Sequence, residues 1–393
     1  MQRWLFLIFA AVAVTIPALF LRLGGIHVSP GMGAVTFGVA ILGGAFLLTW
    51  ASEVAQLDVS QGLALAFLAL VAVLPEYAVD LYFAWEAAKD PQYAAYATAN
   101  MTGANRLLIG VAWPLIVLLF WWKTRENELE LPKERSVELV FLSLATVYSF
   151  IIPIKGTISL LDCVVLVGLF VGYVYRISQA EAHEPEELLG PAALIGSFSP
   201  AVRRSWVAGL FVFSAAVILA SAEPFAEALI HTGKNFGIDE FLLVQWLAPL
   251  ASEAPEIVIA CILTLKGDAQ AGMGAMVSSK VNQWTLLVGT LPLVYSFSLG
   301  QPGALHLDDR QVEEILLTAA QSLFAVAVLA NMRLSLLESA GLFFPFILQL
   351  LFPDTHVRYG FSVFYLLLAA YVLARRRREL GGFLRDGLFA KAK

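Results

Sequence analysis

Charge is scarce in this chain. Asp, Glu, Lys and Arg make up 14% of its 393 residues, against about 25% in an ordinary soluble domain. That shortage excludes a disordered protein, a nucleic-acid binder and nearly every cytosolic enzyme. Cysteine is scarcer still: Cys163 and Cys261 both fall inside apolar runs and offer neither a disulfide framework nor a zinc spacing. They read as buried spectators. The five histidines, His27, His183, His231, His306 and His356, lie in loops or at the ends of apolar runs. With no His-x-x-x-His and no Ser/His dyad, an enzyme working inside the membrane is a poor reading, and no cofactor motif is present.

What fills the sequence is apolar length. Hydrophobic residues are 59% of the total, and about 20 in a row cross a bilayer as a helix. Twelve runs qualify: 3–22, 32–52, 61–87, 93–121, 137–154, 158–176, 205–230, 240–265, 269–298, 312–332, 334–352 and 359–375. None alternates as a barrel strand does. The first run follows Arg3 but has no convincing small-residue cleavage site, so it is taken as a membrane helix. With the N-terminus inside, seventeen of the 25 basic residues fall on inside segments and six on outside ones. The remaining two, Arg106 and Lys280, lie within spans. This bias predicts a multi-pass protein of a plasma or inner cell membrane with both termini cytoplasmic. The four arginines Arg375–Arg378 fit an orientation signal that also attracts anionic headgroups.

The chain also repeats itself. Leu74-Pro75-Glu76 and Ala254-Pro255-Glu256 each sit within an apolar run. Each precedes a polar cluster, Asn100 to Asn105 or Ser278 to Gln283, and then Leu107-Leu108-Ile109-Gly110 or Leu286-Leu287-Val288-Gly289. The repeat holds five spans. An odd count makes the second copy enter from the opposite side, the inverted topology of many secondary transporters. The expected fold is an all-α polytopic membrane protein. It has two inverted five-helix repeats, one extra helix at each end and about 12 transmembrane helices. The expected segments are 1–31 (extra helix and loop), 32–177 (first repeat), 178–204 (cytoplasmic linker), 205–352 (second repeat) and 353–393 (extra helix and basic tail).

Charged side chains inside the bilayer cost about 2.5–3.5 kcal/mol each on the lenient insertion scale. Glu76 and Asp80 share a helix face, as do Ser252 and Glu256, with Glu253 beside Ser252. Proline before each glutamate removes an amide donor and frees carbonyl oxygens, and a hard cation such as Ca²⁺ takes about six to eight oxygens. Asn100, Thr102, Asn105, Ser279, Asn282 and Gln283 are further donors. The plainer readings are a hydrogen-bonded buried glutamate in an ordinary proline kink, a structural Glu253–Lys280 pair and a structural Arg106. Glu223 and Glu227 read as contacts at the mouth of a span. Gly272-Met273-Gly274 would let helices approach closely.

These residues resemble the Ca²⁺:cation antiporter superfamily, which includes the sodium/calcium exchangers. The resemblance spans about 32–352, and the Pro-Glu cores at Glu76 and Glu256 carry it. It implies that Glu76 and Glu256 are metal ligands, with Ser252, Asn100, Ser279, Asn105 and Gln283 completing a cation site. Two registers place the second motif of the first repeat, one on Asn100 and one on Gly103-Ala104-Asn105. Departures from the pattern are Ala72 and Val73 in place of hydroxyl residues, Ala104 and Gln283 in place of Asn or Asp, and Lys280 in place of Asn. Lys280, Glu253, Asp80 and Arg106 are assigned to charge balance or coupling. The implied function is secondary-active antiport of Ca²⁺, or a similar cation, against Na⁺ or H⁺, with the bilayer and small cations as partners. Two alternatives stay open: a proton-coupled exchanger in which Lys280 substitutes for Na⁺, and a non-transporting sensor or assembly protein that kept the fold.

Overall fold

The computed structural model describes residues 2–58, 74–179, 188–352 and 354–389. Among these residues, nine helices are long and apolar enough to cross a bilayer. Each of the twelve expected spans meets a helix. The run 334–352 is a shorter apolar helix, Leu336–Leu351. The run 269–298 is helical but interrupted by polar residues. Of 61–87, the part before Leu74, including Ala72 and Val73, lies outside the described residues, as do Glu181, Glu184, Glu186 and Glu187 of the linker.

The chain forms two compact units, Met1–Tyr82 with Glu181–Glu256, and Phe83–Ala180 with Ile257–Lys393. Each repeat therefore contributes to both. The first unit holds α1 (Gln2–Ala13), α2 (Ile16–Gly24), α3 (Pro30–Ala55), the start of α4 (Leu74–Glu86), α10 (Gly190–Gly196), α11 (Pro200–Phe236) and the start of α12 (Glu240–Lys266). The first run is broken at Val14–Thr15, because Pro17 has no N–H to give the carbonyl one turn back. Beside the break, the Thr15 hydroxyl donates to the Val12 carbonyl at 2.7 Å. α3 fits into this break. A Cβ at Gly43 would stand 2.8 Å from the Ala11 carbonyl oxygen, so only glycine allows the approach. α3 also packs along α11, which is longer than the run 205–230 and starts inside the expected linker. At the end of α3, Asp58 accepts two hydrogen bonds from Arg203 at 2.7 Å and one from Arg204 at 3.0 Å.

The second unit holds α5 (Gln92–Leu107), α6 (Trp113–Thr124), α7 (Ser136–Ser149), α8 (Ile151–Lys155), α9 (Leu160–Ser178), α13 (Ala269–Asn282), α14 (Val288–Leu299), α15 (Asp309–Leu329), α16 (Leu336–Leu351), α17 (Thr355–Arg375) and α18 (Arg377–Phe389). Short strands join its loops. β1 (Glu128–Glu130) pairs antiparallel with β4 (Arg333–Ser335), and β2 (Thr157–Ser159) with β3 (Ala304–His306). Features recur 176 residues apart. Glu128 corresponds to Ala304 and Thr157 to Arg333. Gly156 and Met332 both take left-handed backbone, at φ 63° and 60°. Ser159 and Ser335 each open a helix and donate their N–H to the acid three residues on, Asp162 at 2.6 Å and Glu338 at 2.9 Å. Each ribbon joins a loop of one repeat to a non-equivalent loop of the other, as a two-fold relation between inverted copies requires. Each also joins two loops that the alternation of spans puts on the same side of the membrane.

Candidate functional site

The first unit carries Glu76, Asp80, Ser252, Glu253 and Glu256. Glu76 is the third residue of α4, behind Pro75, and Asp80 follows one turn later on the same face. Both are buried, Asp80 completely. On α12 Ser252 and Glu253 are buried, while Glu256 is half-buried. α12 runs unbroken from Glu240 to Lys266 through Pro249 and Pro255, so the expected kinks do not end the helix. They still matter: Pro255 cannot donate to the Ala251 carbonyl, nor Pro249 to that of Gln245. The Ser252 hydroxyl donates to the carbonyls of Ala248 and Pro249 at 3.3 and 3.2 Å, which leaves its oxygen able to accept or to ligate. Gln245, fully buried two turns before Ser252, belongs to the same face. Its i, i+7 spacing was the signal for it. Toward the end of α11, Glu223 pairs with Arg22 at 2.5 Å and Glu227 accepts from the Tyr82 hydroxyl at 2.8 Å.

The second unit carries Asn100, Asn105, Arg106, Ser279, Lys280 and Gln283, all buried. Here the structure joins the two polar clusters. The Lys280 ammonium, with no exposed surface, donates to Asn105 Oδ1 at 2.6 Å. It also stands 4.5 Å from the centre of the Trp284 ring, a cation–π arrangement. Asn105 in turn donates from Nδ2 to the Met101 carbonyl at 2.8 Å. Its amide oxygen, expected as a cation ligand, is thus engaged by a resident ammonium. Asn100 Oδ1 and Ser279 Oγ are buried and make no hydrogen bond among the described residues. Just beyond each cluster the helix widens into a π-helical turn, Leu108–Ala112 and Gln283–Leu287. Such turns are frequent at functional positions. Gly272 brings α13 onto α12: a Cβ there would meet the Ala260 carbonyl oxygen at 2.6 Å.

Arg106 has a different setting. Its guanidinium pairs with Glu314 at 2.5 Å, and Glu314 also binds Arg358. Arg358 lies 3.6 Å from Glu313. None of these four side chains is more than 4% exposed. Arg358, in the first turn of α17, is buried. Glu313 and Glu314 were overlooked; the one signal for them was a pair of adjacent acids at the start of the run 312–332. The tally of embedded charge changes accordingly. Glu313 and Glu314 are matched by Arg106 and Arg358, leaving Glu76, Asp80, Glu253 and Glu256 with Lys280. Among the described residues, no three His, Cys, Asp or Glu side chains gather as a metal-holding group.

Residues 28–179 and 206–353 match the sodium/calcium exchanger protein family. The chain belongs to this family. The crystal structure of an H⁺/Ca²⁺ exchanger, CAX, is 45% identical, with a TM-score of 0.94 over 98% of this chain and 97% of that one. Native YfkE is 14% identical, with a TM-score of 0.62 over 93% of this chain and 99% of its own, a likeness of fold alone. No curated protein sequence matches the chain. As a family member the chain is a multi-pass membrane cation antiporter, not an enzyme, and works without a cofactor. Membership sets aside the reading of a non-transporting protein that kept the fold.

Proposed function

We propose that this antiporter exchanges Ca²⁺ for H⁺ by alternating access. The carrying observation is the embedded charge. With Arg106 committed to Glu314, the four membrane carboxylates Glu76, Asp80, Glu253 and Glu256 on α4 and α12 outnumber Lys280, the other cation expected within the spans, among the described residues. Carboxylates left in surplus inside a bilayer bind either a divalent cation or protons, and the alternation between the two is the exchange. The 45% identity to an H⁺/Ca²⁺ exchanger supports the same pair of ions.

Glu76 and Glu256 are the acidic metal ligands in this reading. Ser252 and the Ala251 carbonyl add oxygens on α12. Asn100, Ser279 and Gln283 line the polar helices of the second unit, and Asn105 holds Lys280. Asp80 and Glu253 carry protons or balance charge, and Arg106 fixes its helix. The working segments are the repeats 32–177 and 205–352, joined by the linker 178–204 and flanked by 1–31 and 353–393. The two stretches of the family match support this division. The distribution of basic residues supports a plasma or inner cell membrane with both termini cytoplasmic.

The test is radiocalcium uptake into proteoliposomes under an imposed pH gradient without Na⁺. Wild type accumulates Ca²⁺, and Glu76→Gln with Glu256→Gln abolishes it. Exchange that survives both substitutions overturns the assignment. Uptake that needs a Na⁺ gradient overturns the proton coupling alone.

A further inference from the structure

One buried group has no part in holding the ion, yet it reaches the polar helix from outside the repeats. Arg358 stands in the first turn of α17. It binds Glu314 and faces Glu313 at 3.6 Å, both on α15. Glu314 reaches α5 through Arg106 at 2.5 Å. Two turns along the same face of α15, Gln321 Nε2 donates to the Arg106 carbonyl at 3.5 Å. Residue 106 is thus held twice, by side chain and by main chain, two residues before the π-helical turn at Leu108. Its neighbour Asn105 holds the Lys280 ammonium at 2.6 Å. The path from Arg358 through Glu314 and Arg106 to Asn105 and Lys280 is continuous, and every side chain on it is buried.

Two carboxylates and two guanidinia make this group neutral, so it adds no net charge to compete for a cation. In a low-dielectric interior each ion pair is strong and directional. Glu314, held between two arginines, has little freedom to turn, and neither does the helix it grips. Without Arg358, Glu313 and Glu314 would share Arg106, their repulsion would turn Glu314, and the strain would pass to Asn105.

We propose that Arg358 is a positioning residue for transport: through Glu314 and Arg106 it sets the placement of Asn105 and Lys280. The inference rests on the reading of these residues as part of the cation machinery. Its test uses the full chain in proteoliposomes, with Ca²⁺ uptake measured against Ca²⁺ concentration. Arg358→Gln should raise the apparent KM for Ca²⁺ about tenfold, the lower end of the effect of losing a supporting partner, with the maximal rate held. Arg358→Lys should restore most of the affinity. Should Arg358→Gln fail to fold, Arg358→Gln with Glu313→Gln removes a charge-neutral pair and the repulsion with it, leaves Glu314 gripped by Arg106 alone and should show a smaller rise in KM. Wild-type KM in the variant that folds, with Glu76→Gln and Glu256→Gln inactive, overturns the positioning role alone. Full transport by Glu76→Gln with Glu256→Gln overturns the site reading, and the positioning role with it.

Discussion

Arg106 and Lys280 are embedded cations on equivalent helices of two inverted repeats, and different groups meet them. Arg106 meets a carboxylate, Glu314, itself shared with a second arginine. Lys280 meets a neutral amide oxygen and an aromatic face. A guanidinium paired with a carboxylate is electrically closed and serves as a strut. An ammonium can also draw on an amide oxygen and an aromatic face, which solvate its charge without cancelling it. The same cost of embedding is thus met at Arg106 by a carboxylate and at Lys280 with the help of an amide oxygen and a ring.

Breaking the closed pair should have the largest effect on folding. Glu314→Gln leaves Arg106 and Arg358 without their shared acid. It should destabilise the protein by about 3–5 kcal/mol, as removal of one partner of a buried pair does. A thermal melt in detergent measures this, and an unchanged midpoint would show that the network is not a strut. Lys280→Met should act the other way round. Its folding penalty is the smaller, because Asn105 loses one hydrogen bond worth about 1.5–3 kcal/mol. The same substitution takes a positive charge from the carboxylates, so the pH dependence of Ca²⁺ uptake should shift. A loss of fold without any change in the pH profile would make Lys280 a second strut.

The smallest effect is expected outside the spanning segments, where the same pair chemistry meets water. The hydrogen bonds of Arg203, with Arg204 beside it, hold the Asp58 carboxyl at about 2, below its ordinary 3.8. A lowered acid stabilises the fold above its ordinary value, and that contribution is lost as pH falls from about 3.8 to about 2. Asp58→Asn should therefore flatten stability across this window and lower it modestly at pH 7, by less than Glu314→Gln does, because solvent screens the pair. Melts between pH 2 and pH 7 read this directly. A loss at pH 7 as large as that of Glu314→Gln would erase the distinction between buried and exposed pairs.

Much of the fold was legible in one dimension. Apolar runs near twenty residues marked the helices, because the bilayer sets their length. The order of Pro-Glu, polar cluster and Leu-Leu-x-Gly marked two copies, and the odd number of spans marked their inversion. Glu76, Glu256, Lys280 and Arg106 stood out because ionisable groups are costly in such runs. Less legible were Glu313, Glu314 and Arg358. They sit near the ends of their runs, where charge ordinarily means a water-facing boundary, and the packing of α15 against α5 and α17 buries them. The π-helical turns and the two β-ribbons also left no local mark.

The sequence by itself determined that this is a membrane-spanning pair of inverted repeats with acids in its helices, because length, period and the cost of buried charge act residue by residue. Only the tertiary structure decided which cation answers to which oxygen. Arg106 could have faced any buried acid, and Lys280 any carboxylate. The choice of Glu314 for one and of Asn105 with Trp284 for the other was made where helices distant in sequence come into contact, since an ion pair depends on distance and orientation in space.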